Sequence, residues 1–209
     1  MKILTRIIHI VIALFMVSCG SKPITDQSQI ADTTQLYSAD GINLPKVETK
    51  SDSVLKPEKY EGKNLSDIGN ELLRTETLGE IRMDLSSDQV IKILGEPDKK
   101  TEPELWGADG LTHRTWSYKM KGLEFDLSGS AEKELKIETI TAKAGCNFKT
   151  KKNIGIGSIY NDVKNIYVNA MDKETSDGTK LVLGSIYGGI IFNFQANKVE
   201  SIFFGASAE

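Results

Sequence analysis

The spacing of apolar residues changes several times along the chain, and each change marks an element. Leu65, Ile68, Leu72 and Leu73 recur at helical spacing, with Asn64 or Ser66 placed to cap, which predicts a short amphipathic helix. Ser86-Ser87-Asp88-Gln89 has the S-x-x-Q pattern of a capping box, followed by an apolar stripe of Val90, Ile91 and Leu94. Gly95 suits a left-handed position after a helix and Pro97 forbids continuation, so this second helix ends near Leu94. The period then drops to two. Trp116, Tyr118 and Met120 alternate with Ser117, Lys119 and Lys121. After Gly122, Leu123, Phe125 and Leu127 alternate with Glu124 and Asp126, which predicts a hairpin of half-buried strands. Leu135, Ile137 and Thr139, alternating with Lys136 and Glu138, add a third strand.

The order recurs. Ile156-Gly157-Ser158 leads into Val163, Ile166 and Tyr167 at helical spacing, and Leu181 and Leu183 form a strand. Gly188-Gly189 turns into Ile190, Phe192 and Phe194, and Val199 to Phe204 closes the series. Phe125 to Phe192 is 67 residues and Ile137 to Val199 is 62, so helix, hairpin and strand occur twice at nearly one spacing. The expected fold class is α+β, a tandem repeat of short helices each followed by an antiparallel hairpin and a strand. Repeat one covers about 78–142 and repeat two about 150–205, inside a domain of 60–209. One continuous antiparallel sheet is expected, with Val90, Leu94, Val163 and Ile166 packed against Trp116, Phe125, Phe192 and Phe194.

Ahead of this domain the pattern is different. Lys2 and Arg6 precede an eleven-residue apolar run from Ile7 to Val17, followed by Ser18, Cys19 and Gly20, which predicts a secretory signal over 1–18. A membrane-spanning helix needs about 20 apolar residues, and this run is too short. Met16-Val17-Ser18-Cys19 resembles the lipobox of bacterial lipoproteins. That resemblance implies a diacylglyceryl group on Cys19 and anchorage in the lipid bilayer, since several acyl chains on one residue hold durably. Gly20 is not Asp, so the sorting rule of enterobacterial lipoproteins implies the outer membrane. Residues 20–59 sustain neither period and are rich in Gln, Ser, Thr, Asp and Lys, which predicts that 19–59 is a lipidated Cys and a disordered tether.

Composition and charge narrow the chemistry. The 209 residues carry a formal charge of −3, and without Lys2 and Arg6 24 bases remain against 29 acids, a balance of −5. That balance disfavours a nucleic-acid partner, which requires a basic field. With His9 inside the signal, His113 is the one histidine left, too little for a zinc site or a proton relay. Cys146 and His113 with Asp109 or Asp126 have no spacing that supports a nucleophile and its base, and a small buried thiol explains Cys146 better. Asp172-x-Glu174-x-x-Asp177-Gly178 has its oxygens and Gly out of place for a calcium loop. Gly155-Ile156-Gly157 lacks the third glycine and the βαβ setting of a dinucleotide site, and Gly184-Ser185 is not a nucleophile elbow. No cofactor, no metal and no enzymatic activity are expected.

Asp84-Leu85-Ser86, Val90, Leu94-Gly95-Glu96-Pro97-Asp98, Trp116-Tyr118, Leu123-Phe125 and Ile137 together resemble the repeat of beta-lactamase inhibitor protein and its relatives, among them small outer-membrane lipoproteins of the small protein A type. The resemblance covers about residues 78–205. Repeat two departs from it, because no Gly-x-Pro follows Tyr167 and Val168 to Gly178 has no counterpart. It implies one curved sheet with helices on one face and a protein-binding surface on the other. The expected function is therefore a non-catalytic protein-binding module of the cell envelope with an unidentified protein partner. The alternatives are a structural accessory of an outer-membrane assembly complex, or an inhibitor or immunity protein for an enzyme.

Strand alternation assigns Ser117, Lys119, Glu124, Asp126, Lys136, Glu138, Asn193 and Gln195 to the open face. Val182 and Ile191 fall on the same side, and Ile202-Phe203-Phe204 is apolar on both. An exposed apolar patch is thus expected beside Lys119, Lys180, Glu124 and Asp126, with Trp106 as a lip.

Overall fold

The computed structural model describes Tyr60 and residues 62–207, which form one compact unit. The signal, Cys19 and the tether of 20–59 lie outside the described residues. The elements run α1 (Leu65–Thr75), α2 (Ser87–Leu94), β1 (Lys99–Lys100), β2 (Glu104–Leu105), β3 (Thr112–Tyr118), β4 (Leu123–Gly129), β5 (Lys136–Ala142), α3 (Tyr160–Tyr167), β6 (Lys180–Ser185), β7 (Gly188–Gln195) and β8 (Lys198–Gly205). The class is α+β. Eight strands form one antiparallel sheet in the order β1-β3-β4-β5-β8-β7-β6, with β2 also on β3.

Both helix starts anticipated from the sequence are built by side-chain caps. Asn64 accepts from the Asp67 N–H at 2.9 Å, and Ser86 and Gln89 close the reciprocal capping box. Gly95 then leaves the helix at φ 81°, a conformation glycine adopts without cost. Past it, the buried Tyr118 hydroxyl donates to the Gly95 carbonyl at 2.9 Å, and burial together with Glu96 and Asp98 pushes this phenol up to about 12.

Six of the eight strands form two three-stranded meanders, β3-β4-β5 and β6-β7-β8, joined where β5 meets β8 through Ile140↔Phe204, Thr141↔Phe203 and Ala142↔Ile202. Each meander carries a bulge on its last strand. Asp126 pairs with Thr139 but Leu127 with Ile137, leaving Glu138 extra; Asn193 pairs with Ser201 but Phe194 with Val199, leaving Glu200 extra. An extra residue reverses the side-chain phase. Thr139, which simple alternation from Leu135 and Ile137 places on the apolar side, therefore faces the open side, and Ile140 and Ala142 turn inward.

One face of the sheet is the core. Trp116, Phe125, Phe192 and Phe194 are buried with Val90, Leu94 and Val163 as expected, whereas Ile166 is only half-buried at the margin. Aromatic contacts tie α3 down, Tyr167 against Phe192 and Tyr160 edge-on to Phe194. Met120 does not continue the strand pattern. It sits on a 3-10 turn, Lys119–Lys121, and is 87% exposed. The free edge of β3 is covered by β1, β2 and Thr101, whose backbone N–H and hydroxyl bond the backbone of Thr115. Exposed, short outer strands interrupted by Pro103 leave no long template for aggregation.

The expected apolar patch near the C-terminal strands is corrected by burial. Val182 is fully buried and Ile191 is 7% exposed, while Phe203 is half-buried. The segment 172–179 is fastened to β6 on both sides of Val182, through Asp172 N–H to Val182 O, Val182 N–H to Ser176 Oγ, and Asp177 N–H to Lys180 O. Two aspartates shape this segment. Burial opposes the charged form of Asp172, but the Thr175 hydroxyl and the N–H groups of Glu174 and Thr175 outweigh it and hold the carboxyl below its ordinary value. Asp177 is lowered by the hydroxyl and N–H of Thr179 and then by Lys180.

Candidate functional site

The face turned away from α2 and α3 is built by strand register. Across its centre run Ser117, Glu124, Thr141, Phe203, Ile191 and Val182 in one row, paired strand to strand. One step along the strands, Thr115, Asp126 and Thr139 make a second row. Asp126 is the hub of that row. Its Oδ1 accepts from the Thr115 hydroxyl at 2.7 Å and its Oδ2 from the Thr139 hydroxyl at 2.8 Å.

Beside it, the turn after β2 lays an aromatic side chain over the sheet. Trp106 and Leu111 are joined by Trp106 N–H to Leu111 O at 2.9 Å, and the indole stacks on His113 with ring centroids 3.8 Å apart and planes 13° apart. The buried His113 ring is held from both sides, Nε2 2.8 Å from Asp109 Oδ2 and Nδ1 3.5 Å from Glu138 Oε2. The Leu111 N–H, and then His113, hold the Asp109 carboxyl below its ordinary value. Glu138 reaches this ring because it is the bulge residue.

A cavity of about 530 Å³ is lined by Trp106, His113, Thr115, Asp126, Thr139 and Phe203 together with Arg114 and Glu138, among others. At the other end of β3 and β4, Ser117, Lys119, Glu124, Thr141 and Lys143 line a smaller groove of about 220 Å³. The residues expected to form one site therefore fall into three pairs, with Gln195 apart from them. Trp106 and Asp126 share the cavity, and Lys119 and Glu124 share the groove. Lys180 and Asn193 pair with each other on β6 and β7, and Asn193 donates to the Ser201 hydroxyl at 2.9 Å. In the sheet β7 is three strands from β4, about 14 Å at the usual strand spacing. Gln195 lies further out, exposed at the β7–β8 turn.

Thr115, Thr139 and His113 belong to the site but carry no sequence motif. The detectable signal is the clash of phase between Ile137 and Ile140, which two inward residues three apart in a strand produce only through a bulge. His113 and Cys146 are not neighbours, since Cys146 packs beside Gly122 at the start of β4 whereas His113 pairs with Ser128 near its end. Burial raises the Cys146 thiol. Among the described residues no three His, Cys, Asp or Glu side chains converge as metal ligands. No helix among them is long and apolar enough to cross a membrane. No protein-family model matches this chain, and neither a curated protein nor a solved structure matches it.

Proposed function

We propose that the chain is a lipid-anchored protein of a bacterial envelope, held at the outer membrane through acylated Cys19. Its domain is two copies of one helix-and-meander unit, and it binds a protein partner without catalysis on the open sheet face. The duplication is supported by backbone hydrogen bonds that recur at equivalent places. Asp84 N–H bonds Ile137 O as Gly157 N–H bonds Val199 O, and Ile137 N–H bonds Leu85 O as Val199 N–H bonds Ser158 O. Ser87 N–H bonds Leu135 O as Tyr160 N–H bonds Asn197 O. Asp84 and Gly157 share a left-handed backbone, φ 62° and 83°. Aspartate tolerates that region better than most residues and glycine is free in it, which explains two different residues at one structural position.

The observation that carries the binding role is the character of the open face. It combines a cavity in which Trp106, His113 and Phe203 supply rings with the charged residues Arg114, Asp126 and Glu138 in the same lining, the mixed composition of a transient interface rather than of a uniformly solvated sheet. The anchor and tether leave such a face free to meet a partner away from the lipid surface.

The test uses chemical crosslinking in intact cells followed by fractionation. The parent chain is expected in the membrane fraction with a discrete crosslinked species, and Cys19→Ala is expected to leave that fraction. Lys119→Glu combined with Asp126→Lys is expected to reduce the crosslinked species at least severalfold while leaving the domain folded, at a cost of about 1–3 kcal/mol because the Thr115 and Thr139 hydroxyls lose their acceptor. Unchanged crosslinking by the folded double variant, or firm membrane binding of Cys19→Ala, contradicts the corresponding part of the proposal.

A further inference from the structure

The cavity on the open face has a charge imbalance that specifies its guest. Asp126 is exposed at its wall and, among the described residues, has no ion-pair partner. The basic side chains that line the same cavity, Arg114 and His113, are already engaged. The Arg114 guanidinium pairs with Glu132 while its Nε donates to the Thr101 carbonyl at 2.6 Å, and the His113 ring lies between Asp109 and Glu138. The two threonine hydroxyls fix the Asp126 carboxylate in one orientation, so little freedom is lost when a ligand meets it. Trp106 is 41% exposed and, with the half-buried Phe203, supplies aromatic wall.

We infer that this cavity receives a basic side chain, an arginine in the best-fitting case, from the protein bound on the open face; the inference rests on that reading of the face. A guanidinium presents paired N–H donors to a fixed carboxylate and lies flat against an aromatic ring, which a compact ammonium does less well. Its attraction to the rings strengthens as water is excluded. An anionic guest is repelled by Asp126 and Glu138. A neutral saccharide matches the aromatic wall but leaves the carboxylate desolvated without a counter-charge.

The second meander supplies an internal comparison. Where the first has Asp126 bonded to Thr139, it has Asn193 bonded to Ser201, with Lys180 paired to Asn193. The framework is the same and the negative charge is absent, so cation recognition belongs to one half.

The experiment follows the two tryptophan indole N–H resonances of the full ¹⁵N-labelled chain in nonionic detergent, with Trp106→Phe to assign the exposed one. The probes are an acetylated, amidated tetra-arginine, the matching tetra-citrulline, and chitotetraose. Saturable movement of the Trp106 resonance by the arginine peptide alone is expected, with affinity reduced about tenfold in Asp126→Asn, the usual loss for a charge-assisted hydrogen bond. Glu138→Gln is expected to weaken it in the same direction. No movement, equal movement with tetra-citrulline, or movement with chitotetraose alone overturns the inference. If the arginine peptide fails while crosslinking in cells still depends on Lys119 and Asp126, the cavity assignment falls and the open-face reading stands; if both fail, the face itself is wrong.

Discussion

Gly69→Ala is expected to destabilise the domain by about 3 kcal/mol, the upper end of the usual cost of overpacking a core. A Cβ at this position would lie 1.9 Å from the Gly188 carbonyl oxygen and 2.9 Å from its carbon, both rigid backbone. The approach is mutual, because a Cβ on Gly184 would meet the Gly69 Cα at 2.3 Å. Relief requires α1 to lift from the β6–β7 hairpin, which opens the packing of Ile68 and Leu72, both nearly inaccessible to solvent. Each 1 kcal/mol moves the midpoint of a domain this size by about 2–4 °C, so a fall of roughly 6–12 °C is expected in thermal unfolding. Gly178→Ala is the control, since a Cβ there meets nothing, and it should stay within about 0.5 kcal/mol of the parent. Gly69→Ala matching that control would mean that α1 is not seated on the glycines.

Loss of the buried carboxylate of Glu76 should cost about as much, roughly 3 kcal/mol for Glu76→Ala measured by urea unfolding. Glu76 is 4% exposed at the end of α1. Its Oε1 accepts from the Lys151 N–H at 2.7 Å and its Oε2 from the Tyr167 hydroxyl at 3.1 Å, with the Thr150 hydroxyl 3.0 Å beyond. Removing the side chain takes the acceptor from three donors, the N–H groups of Lys151 and Thr77 and the Tyr167 hydroxyl, and an unsatisfied buried donor costs about 1–3 kcal/mol. The same carboxylate joins α1, the segment before residue 154 and α3, close to where Leu78 bridges Thr150. Tyr167→Phe alone should cost about 1 kcal/mol, and the double variant should cost less than the sum, because both changes break one network. Strict additivity would show that Glu76 and Tyr167 are not coupled.

The parts of this fold that local periodicity specifies were legible in the sequence. Val90 and Leu94 with their capping box, and Trp116, Phe125, Phe192 and Phe194 in their strands, follow from 3.6- and 2-residue spacing and require no distant partner. What depends on distant pairing was not. Thr139 changes face because of an extra residue opposite Asp126, and Val182 and Ile191 are buried although alternation puts them outside. The segment 172–179 beside them has no period of its own: Asp172 and Asp177 shape it by accepting from N–H groups two and three residues on, and it is attached to β6 by the Asp172 N–H bonding Val182 O. Gly69, an apparent weakness in an amphipathic helix, is the contact point with β6 and β7. For the site, Trp106 and Asp126 were identifiable as exposed aromatic and charge on the open side, whereas the threonine pair that orients Asp126 arises only when β3, β4 and β5 are in register.

The most direct test of the open-face account is site-specific photo-crosslinking in intact cells carrying the full chain. A benzophenone amino acid is placed in turn at Ser117 and Thr141 on the open face, and at the exposed Lys92 of α2 and Lys164 of α3 on the other. A discrete adduct of one size from Ser117 and Thr141, and none from Lys92 and Lys164, is the predicted result. Adducts from Lys92 or Lys164 with none from Ser117 and Thr141 would contradict it and move the interface to the helical side.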